Sequence, residues 1–265
     1  MHYIGIIPAR YASTRFPGKP LADLGGKTVI QRVYEQASKV LDVVIVATDD
    51  ERIYDCVIAF GGSAIMTSTH HSCGTDRVYE AYRKFRENNA SLVPDSEYVV
   101  INVQGDEPFI QPQQILALIN CFPTDIATLV HPFSTADSVD DLLNPNYVKV
   151  AIAKQSISAS PSTIGRALYF SRSVIPYMRG LEPNQWLQQG QFYRHIGMYA
   201  YRADVLHKIT HLQPSALEQT ESLEQLRWLE NGLTIHVALT DQHSIGIDTP
   251  EDLQKATLYL STLNS

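Results

Sequence analysis

The chain alternates short apolar, β-branched runs with longer stretches that carry helix start and stop signals. The runs Tyr3–Ile7, Val43–Thr48, Ala64–Thr67 and Tyr98–Val103 have the length and composition of buried strands. Between them, Thr28-Val29-Ile30-Gln31 reads as a capping box opening a helix. Asp49-Asp50 suits the cap of a second helix that ends near Gly61-Gly62. A polar loop over 70–77 precedes a third helix running to about Asn88, and Pro112 suits the first position of a fourth. This alternation predicts βαβ units and a mostly parallel sheet, an α/β fold.

The middle of the chain is less regular. Ile126–Val130, Tyr147–Ala153, Ala167–Ser171 and His195–Tyr201 read as strands, and 156–163 as a serine-rich turn. Leu181–Gln191 is polar and poorly periodic, an excursion of the kind that carries substrate contacts or a subunit interface. Leu223–Leu229 reads as helical and stopped by Gly232, with a strand at Thr234–Leu239. Thr249-Pro250-Glu251-Asp252 opens the last helix with an N-cap, proline at the first position and acids in the first turn. With no internal repeat, low-complexity segment or clear linker, the 265 residues read as one domain.

Composition narrows the function classes. A hydrophobic content of 44% with 18% charged residues is ordinary for a folded protein. A net charge of −7 without a long basic run argues against a dedicated nucleic-acid binder. No apolar run approaches the roughly 18 residues of a membrane helix. Met1 leads straight into the first strand, so no signal peptide is expected. Cys56, Cys73 and Cys121 are widely spaced and odd in number, which fits a reducing cytoplasm better than a disulfide framework.

Candidate chemistry concentrates on the loop after the first strand, where Arg10, Arg15 and Lys19 are punctuated by Pro8, Pro17, Gly18 and Pro20. Ligands of open α/β sheets bind at the carboxyl ends of strands. Guanidinium and ammonium groups there suit a polyphosphate. Two acids complement them: Asp106, in the glycine turn after the fourth strand, and Asp248, just before the last helix. Carboxylates facing a polyphosphate usually act through Mg²⁺. Other motifs fail. Gly25-Gly26-Lys27-Thr28 has Leu21 where a P-loop needs its first glycine. No dinucleotide glycine triplet follows the first strand, and there is no Gly-x-Ser-x-Gly elbow. His70, His71 and Cys73 lack the distant second pair of a zinc site.

Taken in order, these segments resemble one family across nearly the whole chain, the 3-deoxy-manno-octulosonate (Kdo) cytidylyltransferases, or CMP-Kdo synthetases. The segments are Pro8-Ala9-Arg10-Tyr11 through Pro17-Gly18-Lys19-Pro20, Val46-Ala47-Thr48-Asp49, Gly74-Thr75-Asp76-Arg77, Val103-Gln104-Gly105-Asp106-Glu107-Pro108, Ala167-Leu168-Tyr169-Phe170-Ser171-Arg172, Arg194-His195-Ile196-Gly197, Leu223-Glu224-Gln225-Leu226-Arg227 and Asp248-Thr249-Pro250-Glu251-Asp252-Leu253. The first alone also marks related nucleotidyltransferases; the ordered set is specific.

The resemblance implies a single-domain, nucleotide-diphospho-sugar transferase-like (Rossmann-like) fold with a mixed, mostly parallel sheet. It implies a homodimer built by the excursion at about 126–200. The implied reaction joins CTP and a 2-keto-3-deoxy sugar acid into a CMP-sugar and pyrophosphate with Mg²⁺, in the cytoplasm, for lipopolysaccharide or capsule synthesis. By resemblance, Pro8, Ala9, Arg10, Ser13, Arg15, Lys19 and Arg77 hold the nucleotide, and Lys19, Asp106 and Asp248 are catalytic. Asp106 and Asp248 bind magnesium, and Gln104, Arg172, His195, Tyr199, Glu224 and Gln225 line the sugar-acid pocket. One departure stands out. Ahead of Gly-Thr-Asp/Glu-Arg the family commonly shows Asp-His-Gln-Ser, where this chain has His70-His71-Ser72-Cys73 and matches only at His71. The same reaction on an amino-substituted Kdo or a sialic-acid relative, and a binding module without catalysis, are the alternatives.

Overall fold

The apolar runs become strands, and the signals between them become helix ends. In the computed structural model, residues 1–71, 73–89, 93–154, 163–242 and 245–263 are described. In chain order come β1 (His2–Ala9), a 3-10 turn (Lys19–Leu21), α1 (Val29–Ala37), β2 (Val43–Thr48), α2 (Glu51–Ala59), β3 (Ala64–Met66), α3 (Gly74–Asn88), a second 3-10 turn (Asp95–Glu97), β4 (Tyr98–Asn102) and α4 (Pro112–Ile119). There follow β5 (Ile126–Pro132), α5 (Val139–Leu143), β6 (Lys149–Lys154), β7 (Thr163–Ser171), α6 (Pro183–Gln189), β8 (Tyr193–Arg202), α7 (Ala203–Thr210), α8 (Ala216–Glu221), α9 (Gln225–Glu230), β9 (Ile235–Leu239) and α10 (Pro250–Leu263). The chain divides into two compact units, Met1–Ile115 with Arg202–Thr210 and His243–Ser265, and Leu116–Tyr201 with His211–Gln242.

The first unit holds strands in the order β3-β2-β1-β4, every pair parallel. Ile4, Ile6 and Ile7 of β1, Val44 to Val46 of β2 and Val99 to Ile101 of β4 are buried, the near-continuous burial of strands covered on both faces. The chain starts in the middle of this sheet, runs outward through β2 and β3, and returns to the far side of β1 as β4. The strand order therefore reverses between β1 and β4, and a crevice opens at their carboxyl ends.

Three helix starts differ from the sequence reading. Thr28 accepts from the Gln31 amide, but the Gln31 side chain bonds Glu35, so only half of the expected capping box forms. Asp50 alone caps α2, leaving Asp49 for another partner. The loop expected over 70–77 is shorter, because α3 begins at Gly74 with the Cys73 thiol as its N-cap. The start of α10 is as expected: Thr249 and Asp252 each accept from the other's amide. Ala256, Leu253 and Leu260 of α10 pack on Leu24, Val29, Phe109 and Ile247.

The second unit orders its strands β8-β5-β9-β7-β6. Among the described residues only β5 and β9 run parallel there; the β8–β5, β9–β7 and β7–β6 pairs are antiparallel, and β6 also bridges β8 at Lys149 and Arg194. The polar stretch at 181–191 contains the short helix α6, begun by Pro183 at its first position. Its two buried residues, Trp186 and Leu187, pack on Leu142 and Phe192, too few for a periodic signal. Helices α5, α7 and α8, likewise short, are not among the elements expected from the sequence. Residues 156–162 of the expected serine-rich turn lie outside the described residues.

His195 on β8 sits in this second sheet. Its Nε2 pairs with Thr128 Oγ1 at 3.0 Å, and its ring packs edge-on against Phe170 and tilted against Tyr199. Burial pushes its pKa down to about 3, so it is neutral at pH 7. The unfolded chain takes up a proton near pH 6.5 that the folded chain refuses until about pH 3. This contribution to stability is complete above pH 6.5 and shrinks as pH falls, by about 2 kcal/mol at pH 5 if the site stays closed. Urea unfolding at pH 7.5 and pH 5 should show the loss, and His195→Asn should flatten it; equal pH slopes for the two proteins would contradict the assignment.

Candidate active site

The loop after β1 is folded around Tyr11. The Tyr11 carbonyl accepts from the Ser13 and Gly18 amides, and the Arg52 guanidinium lies 3.3 Å over the Tyr11 ring. Gly18 takes a left-handed φ of 74°, and a Cβ there would press on that ring at 3.1 Å. The turn delivers Lys19 into the crevice, with buried Pro20 stiffening the short helix behind it. On the other side of the crevice, a Cβ on Gly105 would stand 2.7 Å from the Pro8 carbonyl oxygen. Glycine is thus what lets the loop after β4 lie on the end of β1. The Ile247 amide then donates to the Asp106 carbonyl at 2.8 Å, which sets Asp248 beside Asp106.

These segments enclose a cavity of about 300 Å³ in the first unit. Every nucleotide, metal and catalytic residue expected from the sequence lines it: Pro8, Ala9, Arg10, Ser13, Arg15, Lys19, Arg77, Asp106 and Asp248, together with Gln104. Lys19 Nζ lies 2.8 Å from Asp106 Oδ2 and 3.1 Å from Asp248 Oδ1. Arg15 Nη2 takes the other Asp248 oxygen at 3.1 Å. Arg10 is exposed at the rim. Cys73 and Gly74 bring the N-terminus of α3 to the wall, adding backbone N–H groups and the positive end of a helix dipole.

Arg77, one turn into α3, is buried and oriented by two residues to which the sequence reading gave no role in the site. Its Nη2 meets Asp49 Oδ2 at 2.7 Å, and its Nη1 donates to Thr67 Oγ1 at 2.6 Å. Both partners follow the carboxyl ends of parallel strands, where side chains reach the ligand crevice, and that position was the available signal. Glu80 was also missed. Burial opposes its ionisation, but hydrogen bonds from Lys84, the Ser68 amide and His71 outweigh that and hold it at about 2. His71 is thus tied to Glu80 and Cys73 caps α3.

Asp106 and Asp248 fit a hard divalent ion. They are oxygen donors converging on one cationic group, the Lys19 ammonium. The described residues contain no cluster of three or more metal-ligating side chains. A Mg²⁺ at this pair would take its remaining ligands from phosphate and water, as Mg²⁺ commonly does.

The residues expected to line a sugar-acid pocket, other than Gln104, fall in the second unit. Tyr199 stacks on Tyr201, lies tilted against His195 and meets Trp228 of α9 edge-on. Burial raises its hydroxyl pKa well above the usual tyrosine range. The Tyr199 hydroxyl is buried and faces Thr128, and the Gln225 amide nitrogen is buried with no hydrogen-bond partner among the described residues, a polar atom suited to a polyhydroxylated ligand. Glu224 immediately precedes Gln225 at the start of α9. Arg172 is already engaged, donating to the carbonyls of Glu221, Pro145 and Ser222 at 2.7, 3.1 and 3.3 Å. One N–H on each terminal nitrogen is left for a ligand.

The chain is similar to known proteins over nearly its full extent. The cytidylyltransferase family model matches residues 4–235, which run through both units. Proteins named 3-deoxy-manno-octulosonate cytidylyltransferase from Parabacteroides distasonis and Phocaeicola vulgatus are each 56% identical, over 98% of this chain and 99% and 98% of theirs. The solved structure of a CMP:2-keto-3-deoxy-manno-octonic acid synthetase complexed with CTP superposes with a TM-score of 0.84 at 39% identity, covering 99% of this chain and 100% of that one. With a cation-lined crevice at the switch point and this similarity end to end, the chain belongs to the cytidylyltransferase family, among the 3-deoxy-manno-octulosonate cytidylyltransferases.

Proposed function

We propose that this chain transfers CMP from CTP to the anomeric hydroxyl of Kdo, giving CMP-Kdo and pyrophosphate for lipopolysaccharide synthesis. The observation that carries the reading is the cation-lined cavity, in a chain 39% identical to a synthetase solved with CTP. The C2 hydroxyl oxygen of the sugar acid attacks the α-phosphorus. A new C–O–P bond forms, the bond to the bridging oxygen of pyrophosphate breaks, and the hydroxyl proton is lost to solvent. No covalent enzyme intermediate is needed, so the protein's work is positioning and charge stabilisation.

Arg10, Arg15 and Lys19 grip the triphosphate and offset charge that builds on the leaving pyrophosphate, and the α3 N-terminus adds N–H donors. Arg77, held by Asp49 and Thr67, presents a fixed guanidinium on the nucleotide side. Gln104, Tyr199, Glu224 and Gln225 supply donors and acceptors to sugar hydroxyls, and the spare N–H groups of Arg172 suit the carboxylate. His195, neutral at pH 7, acts as a hydrogen-bonding group rather than a charge. Asp106 and Asp248 would hold Mg²⁺, which when bound lowers the pKa of an attacking oxygen and neutralises phosphate charge.

The reading includes the cytoplasm, where CTP is made, and uses no nucleic-acid or membrane partner. It also includes a homodimer. That assembly would use the 126–200 segment, where Leu143, Leu168 and Tyr177 are exposed apolar side chains available to a partner copy.

Pyrophosphate release from CTP and Kdo should require Mg²⁺ and disappear in Asp106→Ala. Release only with 8-amino-Kdo or a sialic acid would move the substrate and keep the chemistry; no release with any acid would leave a binding module. Lys19→Ala should cost about 3 kcal/mol of transition-state stabilisation, read as a fall in kcat/KM of roughly 100-fold. Light scattering behind size exclusion should give twice the 29.6 kDa chain mass, and Tyr177→Asp should shift it toward one copy; a monomeric wild-type protein would rule the dimer out.

A further inference from the structure

The two carboxylates assigned above to Mg²⁺ are already neutralised by the protein's own cations. One oxygen of Asp106 and one of Asp248 accept from the same Lys19 ammonium, and the second Asp248 oxygen pairs with Arg15. Lys19 is well enclosed, its side chain 12% exposed against 66% for Arg15. Its backbone is anchored in the 3-10 turn, where the Leu21 amide donates to Gly18 and the Ala22 amide to Lys19. Two acids and two bases thus form a charge-balanced set without any ligand.

We propose that Lys19 is a resident counter-ion that closes the carboxylate pair to divalent metal until a triphosphate draws the ammonium away. The inference rests on the reading of Asp106 and Asp248 as the metal carboxylates. A divalent ion at this pair would compete with the ammonium for the same oxygens and meet the repulsion of Lys19, the most enclosed of the four charged groups. Mg²⁺ also gives up its water reluctantly, so two carboxylates already paired with cations are a poor inducement. A triphosphate changes both conditions. Its oxygens offer Lys19 and Arg15 stronger charge-assisted partners, which frees the carboxylate lone pairs, and its negative charge replaces repulsion with attraction. Metal and nucleotide then bind with positive coupling, and by linkage each raises the affinity for the other. The protein without nucleotide binds metal weakly, and Lys19 has two positions in the cycle: on the carboxylates before CTP and on the phosphates after it.

The test is Mn²⁺ binding to the full chain without nucleotide, followed by the electron paramagnetic resonance of free Mn²⁺. Lys19→Met should bind Mn²⁺ about tenfold more tightly than wild type, because the competing charge is gone. Lys19→Arg should bind as weakly as wild type, because the charge is kept. The double variant Lys19→Met with Asp106→Asn should lose the gain. Lys19→Met binding no tighter than wild type overturns the inference, as does Lys19→Arg binding as tightly as Lys19→Met. If Asp106→Asn leaves the Lys19→Met affinity intact, the carboxylates are not the metal site, and the metal reading falls together with the inference. Thermal unfolding of each variant confirms that a folded chain is being titrated.

Discussion

One ammonium shared by two carboxylates ties the first unit's site together. Lys19 is 87 residues from Asp106 and 229 from Asp248, yet it bonds both. Setting two carboxylates side by side at a sheet edge is unfavourable unless a cation lies between them. The cation is delivered by a turn that a left-handed glycine and a buried proline hold rigid. The acids are delivered by a glycine loop pressed on the end of β1 and by the segment leading into α10. Each of these backbone features has its clearest use in bringing that charge set together.

The same wall is built twice over for anions. Arg77 is fixed by a buried pair with Asp49 and a hydroxyl from Thr67, so its guanidinium is oriented before any ligand arrives. Such a pair contributes little to stability against a hydrophobic alternative. Its value is in orientation, since a preorganised charge needs no rearrangement at the moment of reaction. The N-terminus of α3 adds fixed dipoles beside it, and the Cys73 cap keeps that end of the helix in place.

The second unit works by other means. Apart from the Glu224 carboxylate, its candidate groups are neutral or already engaged: a histidine that burial keeps unprotonated, a buried tyrosine, a buried glutamine and an arginine largely spent on carbonyls. Neutral donors and acceptors in a dry setting suit hydroxyl recognition, where shape and hydrogen-bond direction discriminate more than charge. The division between a charged first unit and a largely neutral second one matches a reaction that joins a polyphosphate to a sugar.

Local sequence alone determined the strands of the first unit, the start of α10 and the basic loop with its three cations. Buried β-branched runs, caps and proline–glycine turns act over a few residues and leave their mark in order along the chain. It also singled out Asp106 and Asp248, because both stand in turns next to regular elements. Only the tertiary structure decided that Lys19 joins them, that Asp49 and Thr67 orient Arg77, that Gln31 leaves its capping box for Glu35, and that most of Arg172 is spent on carbonyls. It alone showed α6, whose two buried side chains are too few to make a period, and the neutral state of His195, which follows from what surrounds the ring. Those outcomes are choices between partners far apart in sequence, made by proximity, desolvation and charge, and no local pattern records them.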